Sequence, residues 1–182
     1  MTEAEIIELQ GYAQEVCPKI QAVMMNPSDA VFEECVKMNC YYCGRYGTNW
    51  RCPPKIPNIN YQKMFSEYDY GMFLVVSYDV ENPELYQELR NESSVKLHRT
   101  LLACEKWLWN RDYPTAISFG GGSCKLCKGG CGKERCNNPY LARSPLEALG
   151  VNVIKTARKY GIQIHFPTER HFVRLGLVMW QD

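Results

Sequence analysis

Surplus charge, long apolar runs and histidine are all scarce in this chain of 182 residues. Lys and Arg number 21 against 20 Asp and Glu, so the formal net charge is only +1. A dedicated nucleic-acid binder carries a strong basic excess, so no nucleic-acid partner is expected. No apolar run approaches the roughly 20 residues that a membrane span needs, so no membrane partner is expected either. The opening MTEAEIIELQGYAQEV is acidic and amphipathic, unlike a secretory signal or an Arg-rich transit peptide. The expectation is a cytoplasmic protein with reduced thiols. The three histidines, His98, His165 and His171, are read as a packing residue in a helix and two residues flanking a turn. No Ser/His/Asp or Cys/His nucleophile arrangement can be argued from their spacing. The glycines at 120–122 lack the Gly-Lys-Ser/Thr ending of a P-loop and do not match the dinucleotide fingerprint.

Cysteine departs from this pattern of scarcity, with ten in the chain. Eight fall into two compact groups: Cys35, Cys40, Cys43 and Cys52, then Cys124, Cys127, Cys131 and Cys136. Cys17 and Cys104 stand apart. With thiols reduced, metal ligation is the better reading of such groups than a disulfide framework.

Around these groups the pattern is that of a mixed α/β (α+β) fold. Ile6, Leu9, Ala13, Val16, Ile20 and Val23 recur at helical spacing, which predicts a helix over 2–25, kinked or split at Pro18. A short helix is expected from Ser28 or Asp29 to Val36, followed by an irregular site-building loop over 40–60. YGMFLVVSYDV (70–80) predicts a strand buried on both faces. Asn82 and Pro83 open a helix running to about Asn110, and PTAISFG (114–120) is a second strand. Residues 144–161 read as helical, with Ser144 and Glu147 at capping-box spacing and Gly150 as an interruption. IQIHF (162–166) and HFVRLGLVMW (171–180) predict two closing strands joined by PTER. The expected architecture is one domain, 1–182, with a small central sheet, helices packed against it and two Cys-rich metal-binding loops. Its parts are an N-terminal helical region (1–36), a cysteine loop (35–60) and an α/β core (68–182) carrying the second cysteine loop (120–139).

The second group has spacing C-x2-C-x3-C-x4-C, four candidate ligands within thirteen residues. Structural zinc sites usually draw two pairs from separate knuckles, whereas short successive spacings wrap an iron–sulfur cube. Glycines at 120–122, 129, 130 and 132 let backbone N–H groups approach a cluster, and Lys125, Lys128, Lys133 and Arg135 offset its negative charge. Zinc stays open as an alternative in which the glycines permit turns and the lysines solvate the loop. The first group is C-x4-C-x2-C-x8-C, with Cys35 as the expected fourth ligand. There CYYCG resembles a zinc knuckle while WRCPP has the Cys-Pro ending of a ferredoxin. Were Cys35 instead a core thiol, three thiolates would remain and one metal position would stay open. Tyr41, Tyr42, Tyr46 and Trp50 are expected to shield this site from water.

CGRYGTNWRCPP (43–54), GGSCKLC (121–127) and CNNPYLARSPLEALGVNV (136–153) together resemble the signature of an uncharacterised prokaryotic family of predicted metal-binding proteins, domain of unknown function 2284. The resemblance runs from Cys35 to about Val153. That family carries Arg after the last cysteine, where this chain has Asn137, and Pro-Ser where it has Ser144-Pro145. Neither departure touches a candidate ligand. The resemblance implies metal binding, with iron–sulfur the favoured form, and no known reaction. The expected cofactors are one or two [4Fe–4S] clusters, with zinc as the alternative. The expected role is redox: passing electrons to a partner protein, or reducing a small molecule at an open cluster iron. The rival is a zinc-stabilised structural or interaction module.

Overall fold

The computed structural model describes residues 1–165, 168 and 170–182. Its frame is an antiparallel sheet of four strands in the order β1-β2-β4-β3. These strands are β1 (Ile20–Met25), β2 (Tyr70–Asp79), β3 (Ile117–Phe119) and β4 (His171–Trp180). Helices α1 (Glu3–Val16), α2 (Glu34–Tyr41), α3 (Tyr61–Ser66), α4 (Tyr86–Trp109) and α5 (Val153–Arg158) surround it. The mixed α+β class read from the sequence is the observed one.

Alternation along the two long strands makes two cores. Met72, Leu74 and Val76 of β2, with Val178 and Trp180 of β4, pack under Leu9 and Ala13 of α1 and Leu97, Leu101 and Leu108 of α4. Phe73 and Val75, with Leu175, Leu177 and Met179, pack on the opposite face against Phe65 of α3 and Leu146, Leu149 and Ala157. A sheet buried on both faces explains why β2 reads as a nearly continuous apolar run. Each core buries about a dozen large side chains at roughly 1.5–3 kcal/mol apiece relative to exposure, before chain entropy is set against it.

Several sequence expectations change here. The helix predicted over 2–25 stops at Val16, and residues 20–25 form β1, not a second helical half. Pro18 cannot donate into a helix, and a six-residue apolar run fits either period. Pairing with β2, from Ile20 opposite Val76 to Met25 opposite Gly71, decides for the strand. The helix placed over 28–36 is a single 3-10 turn, Pro27–Asp29, followed by α2 beginning at Glu34. Asn82 caps a 3-10 turn, Pro83–Leu85, by accepting from the Glu84 N–H, and the long helix α4 begins only after that turn, at Tyr86, without a side-chain cap. The helical stretch over 144–161 divides into a 3-10 turn, Leu146–Leu149, and α5 capped by Asn152. Gly150, at φ 93°, makes the left-handed break that a side chain would resist. Residues 162–165 are not in a strand; Phe166, and part of the PTER turn, lie outside the described residues. Helix α3 was not foreseen. It is only six residues long, too short for a periodic signal.

Both cysteine segments are irregular and hang from this frame. The first leaves the C-terminal end of α2, and the second leaves β3. A pinch closes the base of the second: Gly120 N–H donates to Ser144 O (2.9 Å), and Leu146 N–H to Gly120 O (3.1 Å).

Candidate metal centre

Successive tight turns position the first thiol group. Cys43 N–H donates to Cys40 O (3.1 Å), Tyr46 N–H to Cys43 O (2.9 Å), and Cys52 N–H to Asn49 O (3.2 Å). Cys40, Cys43 and Cys52 line one cleft. Burial pushes the Cys52 thiol up to about 12, and neighbouring charge on Cys40, Cys43, Cys124 and Glu147 adds to it. Cys40 is raised by burial first, then by Glu147 and Cys43. These thiols are therefore electrostatic neighbours, and metal loading must displace their protons.

Cys35 does not join them. It sits in the first turn of α2, exposed, with its thiol directed to Glu33 Oε2 at 3.6 Å. It is not a buried core thiol, and it does not line the cleft that Cys40, Cys43 and Cys52 share. The helix places it one and a half turns before Cys40, on a different face. Cys17 and Cys104 are buried in the core, and burial pushes Cys104 up to about 12.

The second group lies on the compressed loop that leaves β3, each thiol half-buried. Burial raises the Cys124 thiol, a backbone contact from Leu126 opposes this, and charge on Cys131, Cys136 and Cys127 adds to the rise. The Asn138 amide donates to Cys127 Sγ at 3.2 Å. Such N–H···S contacts stabilise thiolate and make a cluster easier to reduce. Gly132 is needed for close approach: a Cβ there would lie 2.3 Å from Arg135 O and 2.5 Å from Asn137 Oδ1.

Three consecutive residues lace the two loops together. Asn49 Nδ2 donates to Cys124 O (3.1 Å), Trp50 Nε1 to Gly132 O (2.7 Å), and Arg51 Nη2 to Pro139 O (2.6 Å). Cys52, next in the chain, senses the charge of Cys124. Trp50 is thus a strap, with Lys55 Nζ 4.2 Å over its ring. The expected aromatic shield is not formed by Tyr41 and Tyr42, which are 56% and 78% exposed; their rings pack on each other at 5.3 Å.

The residue that sequence reasoning misplaced is Glu147. It does not cap Ser144; the N-cap of its 3-10 turn is Pro145, without a side-chain bond. Its carboxyl turns inward toward the first thiol group. Burial raises its pKa, against contacts from its own N–H, from the Gly122 N–H and from Arg174. Oε2 is sealed from solvent with no hydrogen-bond partner. Arg143 is committed to a buried carboxylate: Nε donates to Glu105 Oε1 at 2.7 Å, and Nη2 pairs with Oε2. His98 Nε2 meets Leu141 O at 2.7 Å, so it ties the far end of the second loop to α4. His171 pairs with Asp79 at 3.0 Å, and His165 is exposed.

Grouped thiols on two laced loops, with an amide donor at Cys127 and a close-approach glycine, are a donor set whose chemistry fits a thiolate-ligated metal or cluster. Among the described residues, no three His, Cys, Asp or Glu side chains meet at a single coordination point. The family model for predicted metal-binding proteins (domain of unknown function 2284) matches residues 23–180. The chain belongs to this family. No curated protein and no solved structure matches it. The span shared with the predicted metal-binding proteins includes both thiol groups and all four strands except the first three residues of β1, and leaves α1 outside. No described helix is long and apolar enough to cross a membrane.

Proposed function

We propose that this predicted metal-binding protein is an iron–sulfur redox protein with two cluster sites. Cys124, Cys127, Cys131 and Cys136 hold one [4Fe–4S] cluster; Cys40, Cys43 and Cys52 hold the other. The observation that carries the reading is the lacing of the two loops, which sets Cys52 beside Cys124. Bound clusters supply one-electron chemistry at low potential. The chain's own residues do the rest. Asn138 supports the second site's sulfur, and Trp50 and Asn49 fix the separation between sites. Burial of Cys52 keeps water from the side facing Cys124.

The two sites then differ in role. The second has four thiols and suits electron entry from a partner protein. The first has three thiols facing a cleft, with Cys35 turned away, so one metal position opens to a small molecule. Anaerobic reduction followed by electron paramagnetic resonance tests this. Two reducible centres with mutually broadened signals are expected. An unchanged, signal-free spectrum across the reduction would overturn the relay.

A further inference from the structure

The cleft over Cys40, Cys43 and Cys52 has a volume of about 530 Å³, in the range of small-molecule sites. Arg45, Arg90 and Arg174 line it, one from each of the first cysteine loop, α4 and β4. None of the three is in a salt bridge among the described residues. Arg45 and Arg90 are exposed, and Arg90 stacks on Tyr86 at 5.6 Å. Arg174 is buried, with Nε bonded to Ser93 Oγ (3.0 Å), Nη1 to Gly121 O and Nη2 to Arg90 O (3.2 Å). Those neutral acceptors orient the guanidinium without an ion pair. Among the described residues, Glu147 is the one carboxyl lining the cleft, against three arginines. Cations assembled at this density repel one another, and three elements of the fold converge to hold them together.

We propose that the cleft binds a small molecule with a multiply charged oxyanion head, either phosphate or polycarboxylate. Arginine forks match such oxygens in pairs. Val36, Ile154 and Phe172 line the remaining wall and accept an apolar or planar body. The head seats between Arg45, Arg90 and Arg174, on the wall that also carries the first thiol group. Its assignment as a substrate class rests on the redox reading above, in which the first site faces a small molecule. The binding itself does not require the reading to hold.

Calorimetric titration of the full-length, metal-analysed protein with inorganic pyrophosphate and with citrate tests the proposal. Saturable binding of at least one is expected, weakening with added salt, and pyrophosphate against citrate separates the two head chemistries. Arg90→Gln and Arg45→Gln, both exposed positions, should each weaken it about tenfold or more. Lys133→Gln, exposed in the other loop, should leave it unchanged. No binding of either probe, or loss with Lys133→Gln but not with Arg90→Gln, would overturn the proposal. So would binding to metal-free protein alone, since the cations would then serve to offset cluster charge. Iron and sulfide without anion binding defeats the cleft and spares the redox reading; anion binding to a zinc protein does the reverse.

Discussion

The two thiol groups are built on opposite plans. The second packs four cysteines into thirteen residues, pinched at its base and supported by Asn138 at one sulfur. The first has three cysteines over the same thirteen-residue span, Cys40 to Cys52, buries Cys52, and opens on a cleft lined by arginines. A closed set of thiols suits storage and passage of an electron. A set short of one thiol, beside a cationic cleft, suits chemistry on a bound molecule. The difference lies in surroundings more than in the donors themselves.

Substitutions can break that comparison, and the largest effects belong to the thiols. Cys127→Ser and Cys131→Ser should each lower bound iron by about half, because one of two clusters is lost. Unchanged iron in both would refute the second site. Cys52→Ser should remove the other half, whereas Cys35→Ser should leave iron content as it was. Equal losses from Cys35→Ser and Cys52→Ser would show that Cys35 swings in to close the first site.

Next comes the anchor of the second loop. Glu105 is fully buried against Arg143, so Glu105→Gln leaves a largely buried guanidinium unpaired. Breaking a buried pair costs about 3–5 kcal/mol, and denaturant unfolding should show a loss of that order. A loss below about 1 kcal/mol would mean that solvent or a neighbour takes over the guanidinium. The strap is worth less. Trp50→Phe leaves Gly132 O without its donor, for a cost of about 1–3 kcal/mol, and should narrow the broadened resonance signals by loosening the two sites. Signals that keep their full broadening would show that Trp50 does not set the spacing.

How far the sequence disclosed all this depends on the range of the contacts involved. β2 and β4 were legible because burial on both faces writes a long apolar run, and α4 because its helical spacing is local, with Asn82 capping the short turn that leads into it. β1 was hidden because its partner lies 50 residues on; helical and strand periods fit six residues equally well. The grouped thiols were legible as groups. Cys35's detachment was not, since it depends on where α2 starts. Glu147 looked like a helix cap, and only its tertiary placement under Gly122 reveals a buried carboxyl. The arginines of the cleft are scattered from 45 to 174, so no window of sequence gathers them.

The smallest expected effect concerns His98 at the loop's exit. Burial lowers its pKa from 6.5, so the unfolded chain binds the proton more readily. The folded state therefore loses stability as pH falls from 6.5 through the lower folded value. His98→Gln should flatten that acid-side slope in urea midpoints measured across this window. An unaltered slope would assign the pH dependence to other groups.

The central claim, that these thiols hold iron with sulfide, is tested most directly by metal and acid-labile sulfide analysis on protein purified without oxygen. The account predicts about eight iron and eight sulfide per chain, with a brown colour that bleaches on reduction. Zinc without sulfide, in colourless protein, would contradict it and leave a zinc-stabilised module in its place.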